Sequence, residues 1–140
     1  MKIFDVTVPI SEDAPIYEGD PRVQIEAVLK LADGAAANVS HLCFGAHTAT
    51  HVDAPNHFIE GTRMVDELEL EKMIGPCRVI ELPEGVMLIG PEHLGSLAGV
   101  ERVIFKTRNS AFWDKPDEGF RTDFTALGLE AAKLLADAGI

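Results

Sequence analysis

Four of the five histidines fall between His41 and His57. Three of them share one run, His47-Thr48-Ala49-Thr50-His51-Val52-Asp53-Ala54-Pro55-Asn56-His57. Imidazole nitrogen together with carboxylate oxygen is a donor set that d-block cations accept at neutral pH. His51 and Asp53 are separated by Val52 alone, so in extended backbone both side chains leave the same side of the chain. His47 reaches the same point if the chain turns at Thr48-Ala49. Two histidines and one carboxylate leave coordination positions open, which a catalytic site needs and a closed structural site does not. Water at such a centre has a pKa near ~7 in favourable zinc sites, and an amide carbonyl there is polarised towards attack. His57, beyond Pro55, is the side chain suited to moving protons to and from a reacting group. An isolated His-x-x-x-His pair would carry little weight, because lone histidines are mostly core or surface residues. Its coincidence with Asp53 and His57 is what points to metal chemistry.

The remaining chemistry-bearing residues read as structural. His41 alternates with Val39 and Cys43 along a strand-like stretch, and His93 in Pro91-Glu92-His93-Leu94 reads as surface. Cys43 and Cys77 lie far apart and form no CxxC pair, which argues against a disulfide framework. Cys43, in an apolar stretch, reads as a small buried residue.

Short elements separated by turns have to position the cluster. Ile3 to Val8 is rich in strand formers and stops at Pro9. From Arg22 to Leu31, Val23, Ile25 and Ala27 alternate with polar residues, the pattern of a half-buried strand that ends at the Asp33-Gly34 turn. Asn38 to Gly45 is a third strand candidate. Pro55 argues against a helix through the histidine run, because the residue before a proline avoids the helical basin. The acidic run Asp66 to Lys72 reads as the solvated face of a short element. Arg78 to Leu82 reads as a strand. Pro91 suits the first position of a short helix. Arg102 to Thr107 reads as a core strand covered on both faces. Thr125 to Ala138 is the clearest helix, with Leu127, Ala131, Leu134, Leu135 and Ala138 at helical spacing and Gly139 as C-cap.

The length of 140 residues suits a single domain, 1–140, with a core of its own. Lys and Arg number 12 against 23 Asp and Glu, a net charge of −11. Such a surface repels phosphate backbones and makes nucleic acid an unsuitable partner. No apolar run approaches a bilayer span, and Asp5 interrupts any signal-like apolar core, so no membrane role and a cytoplasmic location are expected.

The run from Phe44 to Phe58 resembles the HxGTHxDxPxH signature of the cyclase family, which includes bacterial kynurenine formamidases and isatin hydrolases. Phe4-Asp5-Val6-Thr7-Val8-Pro9-Ile10 and Pro15-Ile16-Tyr17-Glu18-Gly19-Asp20-Pro21 resemble that family's opening strand and its W-P-G-D-P turn. Gly75-Pro76, Val103 to Thr107 and the helix ending at Gly139 match its general layout. The resemblance implies an α/β fold of the α+β kind, with a mainly β, barrel-like core and flanking helices, commonly dimeric. It implies His47, His51 and Asp53 as ligands of a divalent metal, Zn or Mn, with His57 as catalytic acid/base. Tyr17 stands where the family often has an aromatic residue lining a pocket for a small-molecule amide substrate. Asn109-Ser110 and Phe112-Trp113 lie in a loop that borders such a pocket.

Two departures stand out. Ala49 replaces the signature's glycine, which strains the turn if that position takes a positive φ. The chain also stops at Ile140, whereas two-metal kynurenine formamidases take a further His and Glu from a later segment; one metal at most and a shortened domain are therefore expected. The leading reading is a metal-dependent hydrolase of an aryl formamide such as N-formylkynurenine, or of a related cyclic amide such as isatin. The alternatives are a non-catalytic, dimerising metal-binding remnant and a small-molecule binding module.

Overall fold

A computed structural model describes residues 2–140. Its strands are β1 (Gln24–Leu29), β2 (Val39–Cys43), β3 (Arg78–Glu81), β4 (Leu88–Ile89), β5 (Val103–Lys106) and β6 (Ala126–Leu127); its α-helices are α1 (Leu70–Met73) and α2 (Leu129–Asp137). Among the described residues the strands form three separate pairs: β1–β2 antiparallel, β3–β5 parallel and β4–β6 parallel. The fold is thus mixed α/β, and the described residues close no barrel.

The core lies in the second half of the chain. Leu82, Ile89, Leu94, Ala131 and Leu135 are buried together, with Ile80, Val86, Leu97, Val103, Phe105 and Ile140 packed around them. The α2 stripe reads as expected at Ala131 and Leu135, whereas Leu134 faces outward. The helix starts later than its periodicity suggests, because residues 125–127 are claimed by neighbouring strands. Thr125 Oγ1 donates to the Val86 carbonyl, Ala126 N–H donates to Met87, and Gly128 N–H donates to Ile89. A Cβ on Gly128 would come within 2.9 Å of the Ile89 carbonyl, so only glycine lets α2 begin this close to β4. The helix ends in a Schellman cap: Gly139 (φ +78°) donates to Ala136, and Ile140 donates to Leu135. Ile140 thereby folds back on to the core.

Several expectations from the sequence do not hold. Residues 3–8 form no ladder; Val8 N–H donates instead to Thr50 Oγ1, 2.9 Å away. On β1 every residue is exposed, so the alternation there does not mark a buried face; only the preceding Val23 is buried. In β5, Val103 and Phe105 are half-buried while Ile104 is exposed, so one face alone is covered. Cys43 is exposed, because β2 has no layer packed over it. His93 is half-buried and its Nδ1 accepts from Gly90 N–H, 2.9 Å away, capping the 3-10 turn Pro91–His93. The acidic run does form short solvated elements, with no buried residue in Val65–Glu67 or in α1.

This distribution of burial predicts where truncation will hurt. Ile89→Ala removes a side chain that is 3% exposed at the centre of the core. It should lower the unfolding free energy in urea by about 2–5 kcal/mol. Leu129→Ala, at a side chain 69% exposed, should change it by no more than about 0.5 kcal/mol. Equal costs at the two positions would show that the core has been misplaced.

Candidate metal centre

The histidine run folds without regular structure, and each bend in it has a local cause. Gly45 packs against Pro21, whose Cδ would lie 3.3 Å from an added Cβ. Thr48 is buried and its N–H donates to the Gly45 carbonyl. The next residue, Ala49, has φ +56° and is the one non-glycine residue in the left-handed region among those described. This reversal is the turn that His47 requires to come back towards Asp53. His51 Nδ1 bonds the Ala49 carbonyl at 2.9 Å, which leaves Nε2 facing Asp53. Pro55 then starts a 3-10 turn, Pro55–His57. That turn is braced by Asn56, whose N–H donates to Arg63 and whose Oδ1 accepts from Gly61.

The result is a compact donor set. His47 Nδ1 lies 3.0 Å and His51 Nε2 3.7 Å from Asp53 Oδ1. One donor atom from each of the three residues lies within 4.8 Å of the others. A tetrahedral cation with bonds of about 2.1 Å holds its donor atoms roughly 3.4 Å apart, so the cluster has suitable chemistry and spacing for a divalent ion. The His57 ring packs against that of His47 with 4.3 Å between centroids, beside the donor set but outside it. The sequence's His47, His51, Asp53 and His57 are therefore brought together, while His41 and His93 lie elsewhere.

A cavity of about 200 Å³ opens on this cluster. His47, Ala49 and His51 contribute one part of its lining, and Phe112, Trp113, Phe120, Phe124 and Arg121 much of the rest. Phe112 and Trp113 come from the 3-10 segment Arg108–Asp114. Asn109 does not line the cavity. It anchors that segment, donating to the Thr125 carbonyl at 2.9 Å and accepting from Thr125 N–H at 2.7 Å. Tyr17 is not part of the lining either; its ring meets Phe120 edge-on at 5.3 Å, one aromatic removed from the cavity.

Sequence reasoning missed Phe120, Arg121 and Phe124. The available signal was the crowding of aromatics between Phe112 and Phe124 in a segment with no strand or helix periodicity. Arg121 is fixed by Asp123, with Nε and Nη2 each 2.8 Å from a carboxylate oxygen, and by Glu118 at 2.9 Å. Arg108 approaches the same Asp123 carboxylate at 3.2 Å. Hydrogen bonding from Arg121, then from Arg108, holds the Asp123 carboxyl down at about 2.

A mixed α/β fold thus carries a carboxylate–histidine cluster beside an aromatic-lined cavity. The family described as Putative cyclase matches residues 4–140, and the chain belongs to that family. It is 32% identical to kynurenine formamidases of Salinibacter ruber, over 100% of this chain, and of Bordetella avium, over 99% of it. The chain spans 66% of the length of each of these relatives. A solved structure described as a potential metal-dependent hydrolase with cyclase activity superposes with a TM-score of 0.74 at 29% identity, covering 99% of this chain and 64% of that one. A predicted metal-dependent hydrolase from Bacillus stearothermophilus superposes with a TM-score of 0.71 at 30% identity, covering 99% and 65%. No described helix is long and apolar enough to cross a membrane.

Two tests follow from this geometry. A left-handed alanine costs about 1–2 kcal/mol, and glycine gives part of that back through its freer unfolded chain. Ala49→Gly should therefore stabilise the chain by about 1 kcal/mol in urea unfolding, and Ala49→Val should destabilise it; the opposite order would exclude a strained turn. Asp123 has a folded pKa below its usual value of 3.8, so its stabilisation is full above that value and is lost as pH falls towards about 2. Asp123→Asn should accordingly be less stable than the parent at pH 7, with the gap shrinking between pH 4 and 2; a gap independent of pH would refute the ion-pair origin.

Proposed function

We propose that this chain forms the metal-binding part of a metal-dependent hydrolase that cleaves an aryl formamide to the arylamine and formate, or opens a related cyclic amide. The observation that carries this reading is the convergence of His47, His51 and Asp53 on one point beside an aromatic-lined cavity. The kynurenine formamidases among its relatives support the substrate class.

His47, His51 and Asp53 would hold one divalent cation, Zn or Mn; both accept this donor set, and selectivity between them rests on geometry and availability. The chemistry supplied at such a centre is Lewis acidity, which makes water a stronger acid and an amide carbonyl a stronger electrophile. The residues of the chain provide the rest. The carbonyl of Ala49 orients the His51 ring so that Nε2 faces the centre, as the outer hydrogen bond of a metal-binding histidine commonly does. Trp113, Phe120 and Phe124 provide apolar faces against which an aryl ring stacks. Tyr17 supports this wall through its contact with Phe120. His57, packed against His47, takes a proton from the attacking water and returns it to the departing nitrogen. The chain would work as a single domain and as a homodimer; Ile25, Val28, Leu29, Val39 and Leu42 leave the β1–β2 pair with exposed apolar side chains that suit a second copy.

Elemental analysis after stripping and reloading with Zn or Mn should find close to one metal per chain, lost in His51→Ala. His57→Ala should retain the metal and lose turnover of N-formylkynurenine by roughly 10²–10⁴-fold, the usual share of general acid–base catalysis. A metal-loaded, folded chain that releases no formate would overturn the catalytic reading in favour of a non-catalytic metal-binding protein.

A further inference from the structure

Arg121 is the charged side chain in the lining of the aromatic cavity, and neither Asp nor Glu contributes to that lining. Its surroundings fix it there. The guanidinium lies over the Phe112 ring, 4.9 Å from the centroid, and Arg108 lies over the same ring at 5.1 Å. Three of its five N–H groups are taken by Asp123 and Glu118. Two N–H groups remain for a ligand. Ion pairs around it join Arg108, Lys115 and Arg121 to Glu118 and Asp123. Arg121 is thus a fixed cation in the cavity lining of a chain with net charge −11, whose general field repels anions.

We propose that Arg121 is a specificity-determining residue that makes this cavity prefer aromatic ligands carrying a carboxylate over neutral aromatics of the same shape. The proposal rests on the hydrolase reading for its claim that the cavity is the substrate site. The planar guanidinium matches a carboxylate, and its bond to Asp123 means that little freedom is lost when a ligand binds. Trp113, Phe120 and Phe124 hold the ring of the ligand while His47 and His51 line another part of the cavity. The substrate class is therefore an aryl amide bearing an acidic substituent.

Trp113 is the one tryptophan of the chain and lines the cavity, so its fluorescence reports occupancy without turnover. The metal-stripped chain, kept in chelator so that no carboxylate can bind a cation, would be titrated with benzoate and with benzamide. Benzoate should bind about tenfold more tightly, the low end for a charge-assisted bond at a partly exposed guanidinium. Arg121→Gln should abolish the preference. In the unmutated chain the preference should also weaken as NaCl rises, because a partly exposed pair is screened; this arm serves if the variant does not fold. Equal affinities, a preference that survives Arg121→Gln, or one indifferent to salt overturns the proposal. Formate release from N-formylkynurenine, an aryl formamide that carries a carboxylate, by the Zn- or Mn-loaded chain separates the two readings. Formate release with no benzoate preference overturns the role of Arg121 and leaves the hydrolase intact. A benzoate preference without formate release supports Arg121 as an anion anchor and overturns the hydrolase.

Discussion

The reversal of the backbone at Ala49 is the constraint on which the His–Asp cluster depends. An extended chain would carry His47 away from Asp53. The left-handed φ of +56° turns it back, and the same residue's carbonyl then fixes the ring of His51. One residue thus sets both the path of the chain and the orientation of a donor. The cost is a conformation that alanine tolerates poorly and glycine adopts freely. Strain of this kind persists only where surrounding contacts over-determine it. Here those contacts are the buried Thr48, the packing of Gly45 on Pro21, and the bond from Val8 to Thr50 that ties the N-terminal segment to the loop.

The site and the core occupy different parts of the chain. The buried apolar cluster is drawn from residues 82–135, while the donor set lies at 47–53. Among the described residues before the core begins, Val23 is the one buried hydrophobic side chain. The donor loop is therefore held by hydrogen bonds and turn geometry more than by apolar burial. Bonds of that kind contribute about 1 kcal/mol each and open more readily than packed core. The aromatic wall is better anchored. Asn109 ties its segment to Thr125, which is itself bonded to Val86 next to the core. The cavity thus joins a wall tied to the edge of the core to a loop with weaker support.

Ion pairing gives the wall its shape. Asp123 receives Arg121 and Arg108 together, and both guanidiniums lie over Phe112. A single carboxylate thereby positions an aromatic face and a cation at the same rim. Its depressed pKa follows from those two donors and keeps it ionised across the pH range in which proteins commonly work.

The sequence by itself singled out the candidate histidine–carboxylate cluster. His47, His51, Asp53 and His57 were legible because their chemistry is local: the spacing of His51 and Asp53 places them on one side of extended backbone, and Pro55 keeps helix out of the run. The helix at Leu129–Asp137, its glycine cap and the strands at 39–43, 78–81 and 103–106 were legible from periodicity and turn residues. Tertiary structure alone decided what faces those donors. Phe120, Arg121 and Phe124 lie some seventy residues further along the chain than His51, and no periodicity marks them. It also decided that Tyr17 meets the cavity through Phe120, that β1 and Cys43 remain exposed, and that the strands pair off without closing a barrel. Local rules govern which way a side chain leaves the backbone; which distant segment it then meets depends on where apolar surface is buried, and that is a property of the whole chain.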